Sequence, residues 1–167
     1  RRQYFGNRVH VQVLRNAKSG LCAEDCRYCS QSRISQAPID KYPLISKEAL
    51  LTEAIKAKQI KVTRFCISTS GTRPSETEVD QHCDTIRTIK DETQLPLCAT
   101  LGLLTDSQAR RLKEAGLDRV NHNLNTSRSY YGQVCTTHTF QDRLDTVARC
   151  QAAGLEICSG GIVGQGE

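Results

Sequence analysis

Three cysteines with the spacing Cys-x₃-Cys-x₂-Cys are the residues best suited to chemistry in this sequence. They are Cys22, Cys26 and Cys29, and the next cysteine along the chain is Cys66. Structural zinc sites and ordinary ferredoxin clusters take four protein ligands. Three thiolates on one loop can instead hold a 4Fe–4S cluster by three corners and leave one iron open to a small molecule. The alternative is a zinc knuckle that takes its fourth ligand from elsewhere in the chain.

A second set of cysteines is spread over the predicted strands. Cys66, Cys98 and Cys158 each fall in, or at the end of, a strand pattern. Alternate strand residues point into a barrel, so these thiols can converge on a second metal cluster. The alternative is three small buried core residues, since free cysteine packs as a small hydrophobe. The remaining cysteines, for which we predict no role, are Cys83, Cys135 and Cys150, and we likewise assign no catalytic role to His82, His122 and His138.

Short apolar runs alternate with amphipathic runs, which predicts repeated βα units. The predicted strands are residues 9–14, 62–67, 95–101, 118–124 and 155–158. The predicted helices begin at the capping residues Ser46, Ser75, Thr105 and Thr139. The predicted fold class is α/β, a partial (β/α) TIM-type barrel of about the first five βα units, because a closed barrel takes about eight.

The chain also has features of a piece of a longer protein. It contains no methionine, and its last residues, 160–167, end in mid-pattern. We therefore expect residues 1–167 to be one barrel domain truncated at both ends.

Composition narrows the function classes. The net charge is +5, but lysine and arginine are interspersed with acidic residues and only 5% of residues are aromatic, which argues against a nucleic-acid partner. No apolar run approaches the ~20 residues of a membrane span, so we expect no membrane partner. The odd count of nine cysteines is typical of reduced thiols that bind metal, which predicts a cytoplasmic location.

An aromatic residue, Tyr28, directly precedes the third loop cysteine. The pattern Cys-x₃-Cys-x-aromatic-Cys after a first strand resembles the signature of the radical S-adenosylmethionine enzymes. The resemblance implies that Cys22, Cys26 and Cys29 hold a 4Fe–4S cluster whose open iron binds the amino and carboxylate groups of S-adenosylmethionine. One electron from the cluster would then yield a 5′-deoxyadenosyl radical that abstracts hydrogen from a substrate.

Further motifs are similar to those of the biotin synthase family, a sulfurtransferase branch of that superfamily. They are residues 16–22, 28–32, 64–66, 121–127 and 158–164. This resemblance implies radical insertion of sulfur into dethiobiotin, with sulfur from a 2Fe–2S cluster held by Cys66, Cys98 and Cys158. The fourth ligand would be an arginine beyond Glu167. An electron donor such as flavodoxin or ferredoxin and a homodimer are implied for the full-length protein.

The resemblance also implies the ligand contacts. S-adenosylmethionine would be bound by Tyr28, Ser68, Thr69, Ser70, Asn125 and Ile162, and dethiobiotin by Asn121 and Asn123. These three asparagines would share one face of a strand, and their amides can both donate and accept hydrogen bonds. Many members of the family have Asp at the place of Asn125, so here the acceptor is kept and the charge is lost.

No side chain is expected to act as a general acid or base. Two other functions fit less of the pattern: another radical S-adenosylmethionine enzyme of the same subgroup without the sulfur donor, or a non-catalytic zinc or iron–sulfur module.

Overall fold

The computed structural model describes residues 2–7 and 9–167. Five parallel strands form one sheet in chain order. The strands are β1 (Gln12–Lys18), β2 (Arg64–Thr69), β3 (Leu97–Thr100), β4 (Arg119–Asn121) and β5 (Glu156–Cys158). The helices are α1 (Arg2–Phe5), α2 (Lys47–Gln59), α3 (Glu76–Thr93), α4 (Asp106–Glu114), α5 (Tyr131–Val134) and α6 (Phe140–Ala152). Helices alternate with parallel strands, which confirms the predicted partial barrel.

The hydrophobic core lies between the sheet and the helices. Most alternate strand residues belong to it, including Phe65, Ile67, Leu97 and Val120, all buried. Leu50, Val79, Ile86 and Leu112 pack against them from the helices. Because side chains alternate across a strand, the residues in between lie on the opposite face, which we call the inner face.

The inner face is organised in layers by the strand register. The lower layer contains Leu14, Cys66, Cys98, Arg119 and Glu156. The upper layer lies two residues further along each strand and contains Asn16, Ser68, Thr100, Asn121 and Cys158. A closed TIM barrel fills such layers with Val, Ile and Leu. Here both layers are largely polar, which suits a ligand site rather than a packed interior.

The predicted helix starts are confirmed. Ser46 accepts a hydrogen bond from the amide of Ala49, and Ser75, Thr105 and Thr139 each form a full capping box. Reciprocal bonds of this kind satisfy amides that the first helical turn leaves free. Within the described ranges, no helix is long and apolar enough to cross a membrane.

Two predicted strand boundaries were wrong. The first strand was expected at residues 9–14 but runs from Gln12 to Lys18, because pairing with β2 decides its extent. Its apolar alternation was misleading, since Val9 and Val11 are 69% and 50% exposed and precede the paired residues. The fourth strand was expected at residues 118–124 but ends at Asn121, so Asn123 and Asn125 follow it in a loop.

Asp118 ties neighbouring βα units together at the start of β4. Its Oδ2 accepts hydrogen bonds from Lys90 Nζ at 2.8 Å and from the Leu97 amide at 2.7 Å. Burial alone would raise the pKa of Asp118, but these two bonds outweigh it and the pKa lies below its usual value of 3.8. The ionised carboxylate therefore stabilises the fold above that pH.

We predict that Asp118→Asn lowers the free energy of unfolding of the full-length protein by about 1 kcal/mol at neutral pH, allowing for solvent screening. Because the folded-state pKa is lowered, wild-type protein loses this contribution as the pH falls below 3.8, and the difference shrinks in acid. Urea unfolding at neutral pH and at a pH below 3.8 measures the difference between the two proteins in free energy of unfolding. Asp84→Asn, which removes an exposed pair with Lys47, is the control and should change little. A difference that grows in acid would contradict the prediction.

Candidate active site

A cavity of about 220 Å³ opens at the carboxyl ends of the strands. Cys22, Cys26 and Cys29 line it on one side. Ser68, Thr100 and Asn121 of the upper layer also line it, and its other lining residues include Tyr28, Thr69, Ser70, Asn123 and Asn125. One cavity therefore gathers the three loop cysteines and seven of the eight residues predicted to bind ligands. Ligands of α/β sheets bind at this end of the strands.

A sharp turn directs the chain from β1 into the cysteine loop. Gly20 and Leu21 both have left-handed backbone, with φ of 64° and 56°. A Cβ on Gly20 would lie 2.6 Å from Lys41 Cγ, so only glycine fits there. Left-handed backbone is unfavourable for leucine, and such strain is tolerated where the surroundings fix the chain. Here Ser19 and Tyr42 exchange two backbone hydrogen bonds, of 3.1 and 3.0 Å, beside the turn.

The cysteine loop is docked on residues 134–138, which lie more than a hundred positions later in the chain. The Arg27 amide donates to the Val134 carbonyl at 3.0 Å. The Asp25 carboxylate accepts from the amide of Thr136 at 2.9 Å and from its hydroxyl. The Thr136 hydroxyl and amide hold the pKa of Asp25 far below its usual value. The loop geometry is therefore set by charge-assisted hydrogen bonds to the chain beyond β4.

Glu24 lies buried behind the loop. Its carboxylate accepts from the hydroxyls of Thr72 and Thr137 and contacts His138 Nδ1 at 2.5 Å. Burial alone would raise the pKa of Glu24, but these hydrogen bonds outweigh it and the pKa is lowered. Glu24 is thus a fixed anion that links the loop to β2 and to the segment before α6.

Tyr28 is held at the cavity wall by polar contacts. Its hydroxyl accepts from Asn125 Nδ2 at 2.6 Å and faces Arg143 Nη2 at 3.5 Å. Burial raises the pKa of Tyr28 well above its usual value, although the Arg143 charge opposes this, so the phenol stays neutral. Tyr28 is therefore positioned by Asn125, in the loop that follows β4.

The asparagines reach the cavity by a different geometry from the one predicted. Asn121 ends β4, whereas Asn125 has left-handed backbone with φ of 66°, a conformation that Asn tolerates better than most residues. Asn125 forms a parallel bridge with Gly161. Ile162 lies beside this bridge in a neighbouring groove that Asn125 also lines. Ile162 therefore lines the neighbouring groove, and Asn125 lines both this groove and the cavity.

The hydroxyl residues after β2 brace the cavity wall. Thr69 Oγ1 donates to the Thr100 carbonyl at 3.2 Å, and the Ser70 hydroxyl donates to the Gly20 carbonyl. Nearby, a Cβ on Gly102 would lie 2.3 Å from the Thr72 carbonyl oxygen, so glycine is required for the close approach of the two loops. The hydroxyl oxygens of Thr69 and Ser70 retain acceptor capacity toward the cavity.

The second set of cysteines lies lower on the inner face. Cys66 and Cys98 are direct register partners in the lower layer, and Cys158 lies in the upper layer. The Cys98 thiol is the main cause that lowers the pKa of Cys66 to about 7, and Arg64 and Arg119 add positive charge. Hydrogen bonding to Cys66 and burial raise the pKa of Cys98. A thiolate at Cys66 is favoured near neutral pH, which suits metal binding.

Two further cavity residues, an arginine and a histidine, were not predicted from the sequence to belong to the site. Arg143 of α6 donates to the Asn123 carbonyl at 3.0 Å and to the Tyr131 hydroxyl, so it places a half-buried positive charge on the wall. His122 is buried, and its Nε2 has no hydrogen-bond partner among the residues that the structure describes. Burial lowers its pKa to about 4, so it is neutral at pH 7. The histidine lay within a motif, whereas nothing in the sequence around Arg143 distinguished it from surface arginines.

The other cysteines have distinct places. Cys83 and Cys150 are buried in the core between sheet and helices. Cys135 is buried next to the cysteine loop, where its Sγ lies 3.7 Å from that of Cys26. Nothing in the sequence indicated this proximity.

The Radical SAM superfamily model matches residues 18–167. The chain belongs to the Radical SAM superfamily. A protein named biotin synthase from Rhodopirellula baltica is 50% identical over all 167 residues, which make up 46% of its length. Biotin synthase from Bacillus subtilis strain 168 is 48% identical over 167 residues, or 50% of its length. The chain thus spans about half the length of the curated relatives it matches.

Solved structures show the same fold at lower identity. The FeFe-hydrogenase maturase HydG from Carboxydothermus hydrogenoformans has a TM-score of 0.85 at 22% identity, covering 99% of this chain and 39% of that one. Methylornithine synthase (PylB) has a TM-score of 0.84 at 19% identity, covering 98% and 48%. At these identities the likeness establishes the fold alone.

We predict that Asp25→Ala accelerates iron release from the reconstituted full-length protein by about tenfold, since the hydrogen bonds lost at this solvent-accessible carboxylate together contribute about 1.4 kcal/mol. The variant loses the acceptors that dock the loop on Thr136. Transfer of iron to a chelator, followed by absorbance, measures the rate. Asp40→Ala changes an exposed carboxylate in the same loop and should leave the rate unchanged. Equal rates for both variants would contradict the docking role of Asp25.

Proposed function

We propose that the full-length protein is a biotin synthase, a sulfurtransferase that inserts sulfur into dethiobiotin by radical chemistry. The single observation that carries this proposal is the position of Asn121. Its side chain lines the cavity beside the cysteine loop, and its Nδ2 lies 3.7 Å from Cys158 Sγ. A substrate held by Asn121 would therefore lie between the two cysteine sets. The names and identities of the relatives support the same reaction.

Cys22, Cys26 and Cys29 are the proposed ligands of a 4Fe–4S cluster that also binds S-adenosylmethionine. All three line the cavity, whereas only Cys26 belongs to a group of thiol, imidazole and carboxylate atoms close enough for a single ion among the described residues. The thiols of Cys22, Cys26 and Cys29 therefore do not form a single-ion group, which suits three thiolates that each bind a different iron. When bound, the cluster and S-adenosylmethionine supply a radical that abstracts hydrogen.

The second cysteine set has the donor chemistry of an auxiliary 2Fe–2S cluster. Cys66 and Cys98 are adjacent, and Arg64 and Arg119 provide positive charge that favours thiolates. Cys158 lies one layer closer to the cavity. This placement supports a sulfur source directly beneath the substrate.

The remaining cavity residues would bind and orient the ligands. Asn121 and Asn123 offer amides that match the donors and acceptors of a cyclic urea. Tyr28, Asn125 and Ile162 would contact the nucleoside end of S-adenosylmethionine, and Ser68, Thr69 and Ser70 its methionine end. Arg143 adds a fixed positive charge that favours a ligand carboxylate. His122 is neutral and buried, which suits positioning rather than proton transfer.

The same proposal includes the domain, the location, the oligomeric state and the electron donor of the full-length protein. We place residues 1–167 within one radical S-adenosylmethionine barrel domain of a cytoplasmic homodimer. Flavodoxin or ferredoxin would supply the electron, because the cavity chemistry requires a one-electron reductant.

We predict that anaerobic reconstitution loads about six irons in the wild-type full-length protein and about four in Cys98→Ala, consistent with the two cluster types. The variant should still cleave S-adenosylmethionine but form no biotin, because the lower thiol pair is broken. Iron and sulfide analysis with product assays measures both. Cys83→Ala, which removes a core thiol, is the control and should retain about six irons and biotin formation.

Unchanged iron content and biotin formation in Cys98→Ala would contradict the second cluster. Wild-type protein that loads about four irons would indicate a relative without the sulfur donor. A protein that stays colourless after reconstitution would indicate a zinc module. Iron uptake without S-adenosylmethionine cleavage would indicate an electron-transfer module.

A further inference from the structure

Cys26, Cys135 and His138 form a compact group of metal-binding atoms. Their ligand atoms all lie within 4.8 Å of one another, and both cysteines are buried. Among the described residues this is the one such group of three. Cys135 and His138 have no place in the proposed function, while Cys26 is one of the three proposed cluster ligands.

The distances within the group match those around a tetrahedral zinc ion. With Zn–S of about 2.3 Å and Zn–N of about 2.0 Å, tetrahedral geometry requires S···S of about 3.8 Å and S···N of about 3.5 Å. Cys26 Sγ and Cys135 Sγ are 3.7 Å apart. Cys135 Sγ lies 3.3 Å from His138 Nδ1 and 3.8 Å from Nε2. The spacing of these ligand atoms is therefore already that of a site for one ion.

The surroundings of His138 are also those of a metal ligand. Glu24 contacts Nδ1 at 2.5 Å, which leaves Nε2 as the metal-facing atom in a carboxylate–histidine pair. Arg143 Nε now donates to Nε2 at 3.1 Å, so this guanidinium would have to turn when an ion enters. It has other acceptors at the Tyr131 hydroxyl and the Asn123 carbonyl.

We propose that the cluster-free protein binds one zinc ion through Cys26, Cys135 and His138, and that this state excludes the 4Fe–4S cluster. Both states require the Cys26 thiolate, so one must be lost before the other forms. Binding deprotonates the two thiols and releases their protons, with no change in oxidation state. The fourth position of the ion is left for water.

Cobalt titration of the iron-free full-length protein tests the site, because Co²⁺ bound by thiolates gives charge-transfer absorption that reports on each cysteine. We expect wild-type protein to bind Co²⁺ and to release it to Zn²⁺. Cys135→Val should weaken binding by more than about a hundredfold, since even the loss of an outer partner of a ligand costs up to that amount. Cys150→Val removes another buried thiol and is the matched control, for which binding should be unchanged.

His138→Gln provides a second variant and should weaken binding as well. Far-UV circular dichroism checks that each variant is folded. Cobalt bound elsewhere, including by Cys66 and Cys98, is common to all variants and does not affect the comparison.

A second experiment tests the exclusion. Zinc added before iron and sulfide should slow cluster formation in wild-type protein and leave Cys135→Val unaffected. The proposal is overturned if Cys135→Val and His138→Gln bind Co²⁺ as wild type does. It is also overturned if Cys22→Ala, rather than Cys135→Val, removes the charge-transfer band, because the ion would then lie within the cysteine loop.

Discussion

The parallel register of the five strands decides which side chains can meet. Alternate residues such as Phe65, Ile67 and Val120 pack against the helices and supply the apolar burial that stabilises the sheet. The residues between them are then forced onto the inner face, whatever their polarity. Because Cys66 pairs with Cys98 and Asn121 with Cys158, the thiols and the asparagine amide are stacked in adjacent layers. The ligand site is a consequence of this register.

The cysteine loop depends on a second constraint, which is long range. It contains no helix or strand after Ser19, and its shape is fixed by hydrogen bonds to residues 134–138. Asp25 and Glu24 act as acceptors there, and their lowered pKa values show that the folded protein favours the ionised forms. The loop therefore acquires its geometry only when the chain beyond β4 has folded beside it. This arrangement also places Cys135 and His138 against Cys26.

Much of the site could be predicted because local sequence carried the signal. The Cys-x₃-Cys-x₂-Cys spacing identified the loop, and capping boxes such as Ser75–Glu78 identified helix starts. The strand cysteines were found because each lay within an apolar run. The three asparagines line one cavity, although Asn123 and the left-handed Asn125 reach it from a loop and not from the continuous strand that was predicted.

The rest could not be predicted because it depends on contacts between distant residues. Arg143 and Glu24 have ordinary sequence surroundings, and only the packing of α6 and the loop makes them neighbours of Tyr28 and His138. The place of Cys135 beside the cysteine loop is likewise evident only from the short distance between its Sγ and that of Cys26. The first strand was misplaced because its apolar alternation begins at Val9 and Val11, which are exposed and precede the residues that pair with β2.

In the proposed function, the three loop cysteines hold a 4Fe–4S cluster and leave one of its irons open to the shared cavity. Mössbauer spectroscopy of the full-length protein, reconstituted with ⁵⁷Fe and measured with and without S-adenosylmethionine, tests it most directly. We expect S-adenosylmethionine to alter the signal of a single iron of the loop cluster while the signals of the other irons stay unchanged. Identical spectra in the two conditions, or an equal change at every iron, would contradict it.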